Sequence, residues 1–186
     1  MATCQVLRLL ASERLARHPR LAALGPDPLA AGFDAAEVVR RALKQPARPL
    51  GEIVLDQRVL AGIGNVLKSE GLFLAGADPF APVAAYDARA LGAVIDTLAR
   101  TLTQTAARRA REDRIPARMT RRTGASLRGQ ASRLWVYERS GRPCLVCGSA
   151  IAMRRQGDGA RSTYFCACCQ PPRKDPDAPL VPPRIR

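Results

Sequence analysis

The chain has 186 residues, enough for one ordinary domain or for a small domain with an appended module. Its 30 lysines and arginines outnumber 16 acidic residues, and the formal net charge of +14 is typical of a soluble chain that binds a polyanion such as nucleic acid. Aromatic residues make up only 4%, which argues against the base-stacking surfaces used for RNA or single strands and therefore favours duplex DNA.

The N-terminal residues, MATCQVLRLL, are β-prone but are followed by no candidate partner strand. Because a lone strand leaves its backbone groups unpaired, we interpret residues 1–14 as the remnant of a missing structure. This segment has no signal-peptide pattern, and no apolar run of about 18 residues occurs anywhere in the chain. We therefore expect a cytoplasmic protein that makes no membrane contact.

The next segment, HPRLAALGPDPL, predicts one short helical turn. It contains the single histidine, His18, which we interpret as a surface or capping residue; a metal ligand or a catalytic base is the alternative. Asp34 and Glu37 then form a capping-box pattern ahead of AAEVVRRALK, which predicts a helix. The apolar positions of this helix are Val38, Val39 and Leu43.

Residues 49–75 predict a helix, a tight turn and a second helix: PLGEIVLDQRVL, AGIGN and VLKSEGLFLAG. Gly62 and Gly64 allow backbone angles that other residues resist, and the Asn65 side chain can cap the second helix. Successive backbone N–H groups from Gly64 onward favour an anion, for which a DNA phosphate is the natural candidate. A simple tight turn between packed helices is the alternative.

Asp87 opens a long helix that leads into an arginine-rich stretch. Between Arg108 and Arg142 there are 11 arginines and 3 acidic residues, with glycine and serine among them, which indicates a loop-rich linker. Such a stretch either contacts phosphates or is a solvated surface loop. The long helix carries an apolar stripe, which predicts one small helical core and comprises Leu91, Val94, Ile95, Leu98 and Leu102.

Four of the six cysteines form two Cys-x-x-Cys pairs, with 18 residues between Cys147 and Cys166. Two such pairs supply the four thiolates of a tetrahedral zinc site, which is closed and hence structural. The predicted ligands of this one zinc ion are Cys144, Cys147, Cys166 and Cys169. Cys168 could replace Cys169, but only Cys169 keeps the two-residue gap, and free or oxidised thiols are the alternative to a metal. Strand-like residues 162–165 lead into the second pair, and the proline-rich end at 171–186 predicts a disordered tail.

Both motifs resemble one known family. LDQRVLAGIGNVLKSE resembles the helix-two-turn-helix of formamidopyrimidine-DNA glycosylase and endonuclease VIII, and VYERSGRPCLVCG with GARSTYFCACCQ resembles their C-terminal zinc finger. The resemblance implies a mainly α fold, a small helical bundle with a helix-two-turn-helix plus a C-terminal β-hairpin zinc finger. Its parts are a remnant strand of a missing N-terminal β-sandwich (1–14), a helix-two-turn-helix DNA-binding domain (15–135), a four-cysteine zinc finger (136–170) and the disordered tail (171–186).

The resemblance also implies a partner and a set of site residues. The partner is double-stranded DNA with an oxidised base or an abasic site, bound by a monomer. Asn65 and the N–H groups after Gly64 hold phosphates flanking the lesion, Arg161 reaches the phosphates at the flipped nucleotide, and Lys68 is a further candidate for a backbone contact. The resemblance assigns Arg161 also to δ-elimination as a proton donor, although a permanently charged arginine fits phosphate binding more simply.

Members of this family flip an oxidised base from the stack, remove it and cut the abasic site by β,δ-elimination. Their nucleophile is an N-terminal proline amine, followed by a glutamate and assisted by a lysine of the N-terminal β-sandwich, whereas this sequence begins Met1, Ala2, Thr3. We therefore expect the damaged-DNA-binding part of a base-excision-repair glycosylase/lyase, in which the Ala2 amine, exposed if Met1 is removed, allows at most slow lyase activity. Three explanations stand in this order: a fragment or late-started reading frame, a separate catalytic chain, or a degenerate binding protein. The alternative function is a non-catalytic zinc-finger protein or adaptor.

Overall fold

The computed structural model describes residues 19–112 and 134–185. The strand remnant predicted at residues 1–14, His18 and most of the arginine-rich stretch lie outside these residues. The described chain is mainly helical and carries one two-stranded antiparallel hairpin, which confirms the fold class at this level. Within the same ranges, no helix combines the length and the apolarity that crossing a bilayer requires.

The helices come first in the chain and the hairpin follows them. The elements are α1 (Pro19–Ala22), α2 (Ala35–Leu43), α3 (Leu50–Ile53), α4 (Asn65–Leu74), a 3-10 turn (Val83–Ala85), α5 (Ala88–Glu112), β1 (Ala152–Gln156) and β2 (Arg161–Phe165). The single helical turn predicted before residue 25 is α1. The register of the hairpin pairs Ala152 with Phe165 at one end and Gln156 with Arg161 at the other.

Helix α2 begins after Asp34 as predicted, although only the Asp34 half of the capping box is formed. The Asp34 carboxylate accepts a hydrogen bond of 2.8 Å from the Ala36 N–H, and this satisfies one of the donors that a helix start leaves unpaired. Glu37 accepts a 2.7 Å bond from Arg41 on the same helix. The buried face of α2 includes Ala42 and not the predicted Leu43, which is 42% exposed.

The predicted helix over residues 49–60 is shorter in the structure, because α3 ends at Ile53. Two polar side chains bond the backbone of the turns that follow α3. Asp56 accepts a bond of 3.1 Å from the Arg58 N–H, and Gln57 bonds both the Gly62 N–H and the Ile63 carbonyl. Short polar side chains that bond the nearby backbone in this way favour turns over helix.

The main hydrophobic core lies where α5 crosses α2 and α4. The predicted stripe on α5 faces this core, since Leu91, Val94, Ile95 and Leu98 are each at most 1% exposed. Gly71 lets α4 approach α5 closely, because a Cβ atom at this position would clash with the Leu98 side chain. The helical part is therefore held by an apolar core of its own.

A second apolar cluster joins helix α4 to the cysteine-containing region. Phe73 of α4 is fully buried among Val136, Ile151 and the two buried cysteines, Cys144 and Cys166. Its ring stacks on Trp135, with 6.0 Å between the ring centroids. The core of the cysteine-containing region is thus completed by a side chain from the helical part.

Residues 171–185, which we call the C-terminal strap, do not form the disordered tail that the sequence predicted. Arg173 donates a 2.6 Å bond from Nε to the Ala85 carbonyl and lies 4.6 Å above the centroid of the Tyr86 ring. Leu180 packs against the main core, and the Asp87 N–H donates to the Pro176 carbonyl. The proline-rich composition indicated disorder, but prolines also stiffen an extended chain, and the Arg173 guanidinium fixes this one to the helices.

Candidate nucleic-acid interface

A cleft of about 570 Å³ opens where the N-terminus of α4 faces the turn of the hairpin. Gly64, Asn65 and Arg161 line this cleft, although Asn65 and the hairpin are almost a hundred positions apart in the sequence. The structure therefore brings three of the four predicted DNA-binding residues together.

The N-terminus of α4 presents backbone donors to the cleft side. The residue before the helix is Gly64, which has no side chain to cap the helix, and a Cβ atom added there would meet nothing within 4 Å. The first bond inside the helix runs from the Lys68 N–H to the Gly64 carbonyl at 2.9 Å. The preceding N–H groups therefore have no acceptor in the helix and suit an anion.

Asn65 does not cap α4 as the sequence predicted, because it is the first residue of the helix and its side chain points to the hairpin. Its Nδ2 donates to the Ser162 Oγ at 3.2 Å, while its Oδ1 is buried without a hydrogen-bond partner. If the amide turned by 180°, the Ser162 hydroxyl would donate to Oδ1 and Nδ2 would become the unpaired group. In either orientation the unpaired atom of the Asn65 amide is buried, although the residue itself lines the cleft.

Arg161 is the first residue of β2 and follows the four-residue turn of the hairpin. Its side chain is exposed, and no salt bridge in the described part of the chain involves it. The turn needs left-handed backbone at Gly157 (φ 65°) and Ala160 (φ 45°), which sets the direction in which β2 starts. The Arg161 guanidinium is thus available for an anionic ligand.

Asp56, an acidic residue on the cleft wall, was not among the site residues predicted from the sequence. Asp56 forms salt bridges of 3.1 Å to Arg48 and 3.2 Å to Arg58. Burial opposes its ionisation, but the hydrogen bonds from these arginines outweigh that effect and lower the pKa of Asp56 to about 2. Two of the arginines on this wall are therefore paired with Asp56, whereas Arg161 is not.

Lys68 occupies a different place from the predicted phosphate contact. Its side chain is 0% exposed, and its ammonium donates to the Thr163 Oγ1 at 2.7 Å and to the Ser162 carbonyl at 3.2 Å. A phosphate group has no access to this amine. The structure does not favour the predicted direct contact with a DNA backbone, because residue 68 lies on the face of α4 that packs on the hairpin.

The four predicted zinc ligands form one cluster. The Sγ atoms of Cys144, Cys147, Cys166 and Cys169 all lie within 4.8 Å of one another. The Cys147–Cys166 and Cys144–Cys169 pairs are 3.4 and 3.9 Å apart, close to the sulfur spacing of about 3.8 Å that a tetrahedron with zinc–sulfur bonds near 2.3 Å requires. Cys168 is exposed and does not belong to the cluster. The donor set fits one structural zinc ion, which would hold the two cysteine pairs together.

Helix α4 also binds the segment that leads into the first cysteine pair, through a residue that the sequence analysis missed. The Glu70 carboxylate, 5% exposed, accepts hydrogen bonds from the N–H groups of Trp135, Val136 and Tyr137 at 2.8 to 2.9 Å. An acidic residue within a helix is usually a surface residue, so no local pattern indicates this contact. Helix α4 therefore contacts two parts of the zinc-binding region from different sides: the hairpin through Lys68 and the segment before the first cysteine pair through Glu70.

Comparisons with known proteins match two parts of the chain. Residues 24–114 match the formamidopyrimidine-DNA glycosylase H2TH domain, and residues 141–172 match the zinc finger found in FPG and IleRS. Among solved structures, MutM (Fpg) from Thermus thermophilus is 30% identical with a TM-score of 0.62, over 83% of this chain and 56% of that one. Lactococcus lactis Fpg bound to DNA with an AP site shares the fold, with a TM-score of 0.66 at 21% identity over 88% and 55% of the two chains.

Relatives with curated names agree with these matches. A probable endonuclease 8 2 from Streptomyces coelicolor is 44% identical over 89% of this chain and 54% of its own length. The formamidopyrimidine-DNA glycosylase of Rhodospirillum rubrum is 36% identical over 87% and 57%. The chain thus spans about half the length of the relatives it matches. The H2TH match precedes the zinc finger match, as the helical part precedes the zinc-binding region in the fold. The chain therefore belongs to the formamidopyrimidine-DNA glycosylase and endonuclease 8 family.

Proposed function

We propose that this chain is the damaged-DNA-binding part of a base-excision-repair DNA glycosylase and AP lyase that acts on oxidised bases and abasic sites. The observation that carries the proposal is the convergence of Asn65, the open N-terminus of α4 and Arg161 on one cleft. Helix N–H groups, an amide and a guanidinium are the groups that bind the phosphates of a DNA backbone. The names of the relatives, endonuclease 8 and formamidopyrimidine-DNA glycosylase, support damaged DNA as the ligand.

In this proposal α3, the two turns over residues 54–64 and α4 form the helix-two-turn-helix. The match of residues 24–114 to the H2TH domain supports it, as does the arrangement of turns held by Asp56 and Gln57. The DNA-binding domain spans residues 15–135 and the zinc finger residues 136–170, with Phe73 shared between their cores. We propose a monomeric cytoplasmic protein.

Arg161 has the role of a phosphate ligand at the lesion. Its exposure and its lack of a carboxylate partner in the described chain support this role. The same position leaves it able to act near an abasic sugar, where the resemblance assigns the δ-elimination proton. Lys68, the amine beneath this cleft, is buried and hydrogen-bonded, so we expect it to form no imine with an abasic aldehyde.

The test is affinity for a duplex with a tetrahydrofuran abasic analogue, compared with the same duplex without a lesion. Arg161→Ala should weaken lesion binding by about 1 to 3 kcal/mol, roughly five- to a hundredfold, because it removes a charge-assisted contact. It should also reduce the slope of log K against log salt by about one. Arg89→Ala is the matched control, since Arg89 is an exposed arginine on α5 outside the cleft.

Two outcomes would change the proposal. Equal affinity of the wild-type chain for intact and abasic duplex would favour a zinc-finger adaptor that does not recognise lesions. A covalent species trapped by borohydride on natural abasic DNA would show that an amine of this chain performs lyase chemistry, and the Ala2 α-amine, exposed if Met1 is removed, would be the first suspect. Binding with preference for the lesion and without trapping supports the proposal as stated.

A further inference from the structure

The two sides of the proposed phosphate site come from distant parts of the chain. Asn65 and the Ser162 hydroxyl that it bonds are 97 positions apart, and Arg161 directly precedes Ser162. A bound DNA backbone would need Asn65 and Arg161 at a fixed separation, since misplacement by about 1 Å can cost roughly a hundredfold in a positioned contact. Whatever holds α4 against β2 therefore decides whether the site is preformed.

Lys68 makes the strongest polar contact between these two elements. Its ammonium bonds the Ser162 carbonyl and the Thr163 hydroxyl, which are the first two positions after Arg161. A fully buried lysine is costly unless its donors are satisfied, and here the hairpin supplies the acceptors. The contact thus fixes the position of the hairpin along α4.

The bond to Thr163 begins a series of hydrogen bonds in which the donor and the acceptor of each bond are determined. Because Lys68 is a pure donor, the Thr163 hydroxyl accepts from it and donates to the Gln156 Oε1 at 2.8 Å. The Gln156 Nε2 then donates to the Pro79 carbonyl at 2.8 Å. Gln156 pairs with Arg161 in the register of the hairpin. This series of hydrogen bonds therefore holds both strands at the end of the hairpin where Arg161 lies.

The charged groups near Lys68 connect it to the cleft. Arg161 and Glu52 are the two that influence its ammonium, and both line the cleft, whereas the facing residues of β2 are neutral. Glu70, on the same helix, is occupied by the backbone of residues 135–137. An anion bound at Arg161 would relieve the repulsion between Arg161 and Lys68.

We propose that Lys68 is a positioning residue for DNA binding: it clamps the β2 hairpin to α4 so that Arg161 and Asn65 engage one DNA backbone together. This inference rests on the proposed function, but the clamp itself is a property of the free protein. Lys68 acts through Arg161 and does not touch DNA.

A double-mutant cycle on the zinc-loaded chain tests the proposal with the tetrahydrofuran duplex. Lys68→Met, which keeps an unbranched side chain as far as Cε and removes the ammonium, should weaken binding roughly tenfold, and Lys68→Arg should restore most of it because the donors return. In an Arg161→Ala background, the same Lys68→Met change should cost less than about twofold, since the residue it positions is gone. Unchanged affinity in Lys68→Met, or losses that multiply independently, would overturn the proposal.

Two further measurements keep the test decisive. If Lys68→Met does not fold, Thr163→Val removes the acceptor of the same bond and should show the same coupling to Arg161. Amide hydrogen exchange without DNA should be faster at residues 161–165 in Lys68→Met than in the wild type, and unchanged exchange would overturn the clamp. Faster exchange in a protein whose wild type shows no lesion preference would instead refute the proposed function and leave the clamp standing.

Discussion

Lys68 and Arg161 are both cations that the family resemblance assigned to the DNA backbone. Their side chains differ in burial, and their roles differ for that reason. Arg161 stands at the start of a strand, exposed and without a salt bridge in the described chain. Lys68 is one helical turn beyond Asn65, where the face of α4 is covered by the hairpin. The family resemblance assigned both cations to phosphates, but only the packing of α4 shows which of them is accessible to a ligand.

The buried amine of Lys68 has a consequence for the pH dependence of stability. Burial lowers its pKa, the nearby Arg161 charge lowers it further, Glu52 opposes both, and the result is about 8 against an ordinary 10.5. Between these two values the unfolded chain binds more protons than the folded chain, so the free energy of unfolding should rise with pH. We expect the free energy of unfolding of the wild type to rise relative to that of Lys68→Met from pH 8 to 10.5. Urea denaturation of both proteins with zinc present measures this difference. A flat difference would show that the amine titrates alike in both states.

At the scale of elements, α4 links the helical core to the zinc-binding region. Its N-terminus borders the cleft, Lys68 and Glu70 bond the finger, and Phe73 fills the finger's core. The zinc-binding region has few apolar residues of its own, so the metal supplies much of its folding free energy. The site therefore depends on zinc although no ligand cysteine lines it.

Zinc removal should separate the two parts of the molecule. On chelation we expect most of the far-ultraviolet helical signal to remain, because the core around α5 does not involve the cysteines. The fluorescence of Trp135, the single tryptophan, should change as its contact with Phe73 is lost, and affinity for the abasic duplex should fall at least as far as in Arg161→Ala. Cys168→Ser should keep one zinc per chain, while Cys169→Ser should lose it. Full lesion affinity in the metal-free protein would contradict this dependence.

Elements with local signals could be predicted from the sequence. The α2 cap at Asp34, the stripe on α5 and the cysteine spacing each follow from residues close together in the chain, and each is present in the structure. The bonds of Glu70 to residues 135–137 and of Lys68 to Thr163 join positions 65 to 95 apart, and no local pattern encodes them. The turns after α3 were missed because they depend on bonds from the Asp56 and Gln57 side chains to the nearby backbone, which a helical pattern does not show.

At the scale of the whole molecule, the C-terminal strap returns from the zinc finger to the helices. The turn at residues 76–81 lies between them: Gln156 and Gln170 of the finger bond the Pro79 and Ala77 carbonyls, and Arg173 of the strap donates its N–H to Asp78. Residues 173–185 lie beyond the part that matches the zinc finger model. The strap thus reinforces the segment on which the finger rests.

Removing the strap should loosen the finger without unfolding the core. We expect a chain ending at residue 172 to bind one zinc ion and to melt at a lower temperature, since it loses the Arg173 bonds, each contributing about 1 kcal/mol, and the burial of Leu180. Calorimetry of the two zinc-loaded chains measures the difference. Arg184→Ala, an exposed position on the same segment, is the control and should melt like the full chain. Identical melting of the truncated chain would show that the strap contributes no stability.

The bonds between α4 and the hairpin also set an order of folding. They close loops of more than ninety residues, from Asn65 to Ser162 and from Lys68 to Thr163, so the entropy lost in forming them is larger than for any contact within a helix. The helical core can collapse from local contacts, whereas the cleft is complete only after the finger has taken up its metal and docked. A nascent chain leaving the ribosome would therefore form its helical core before it completed the cleft that we propose for a DNA backbone.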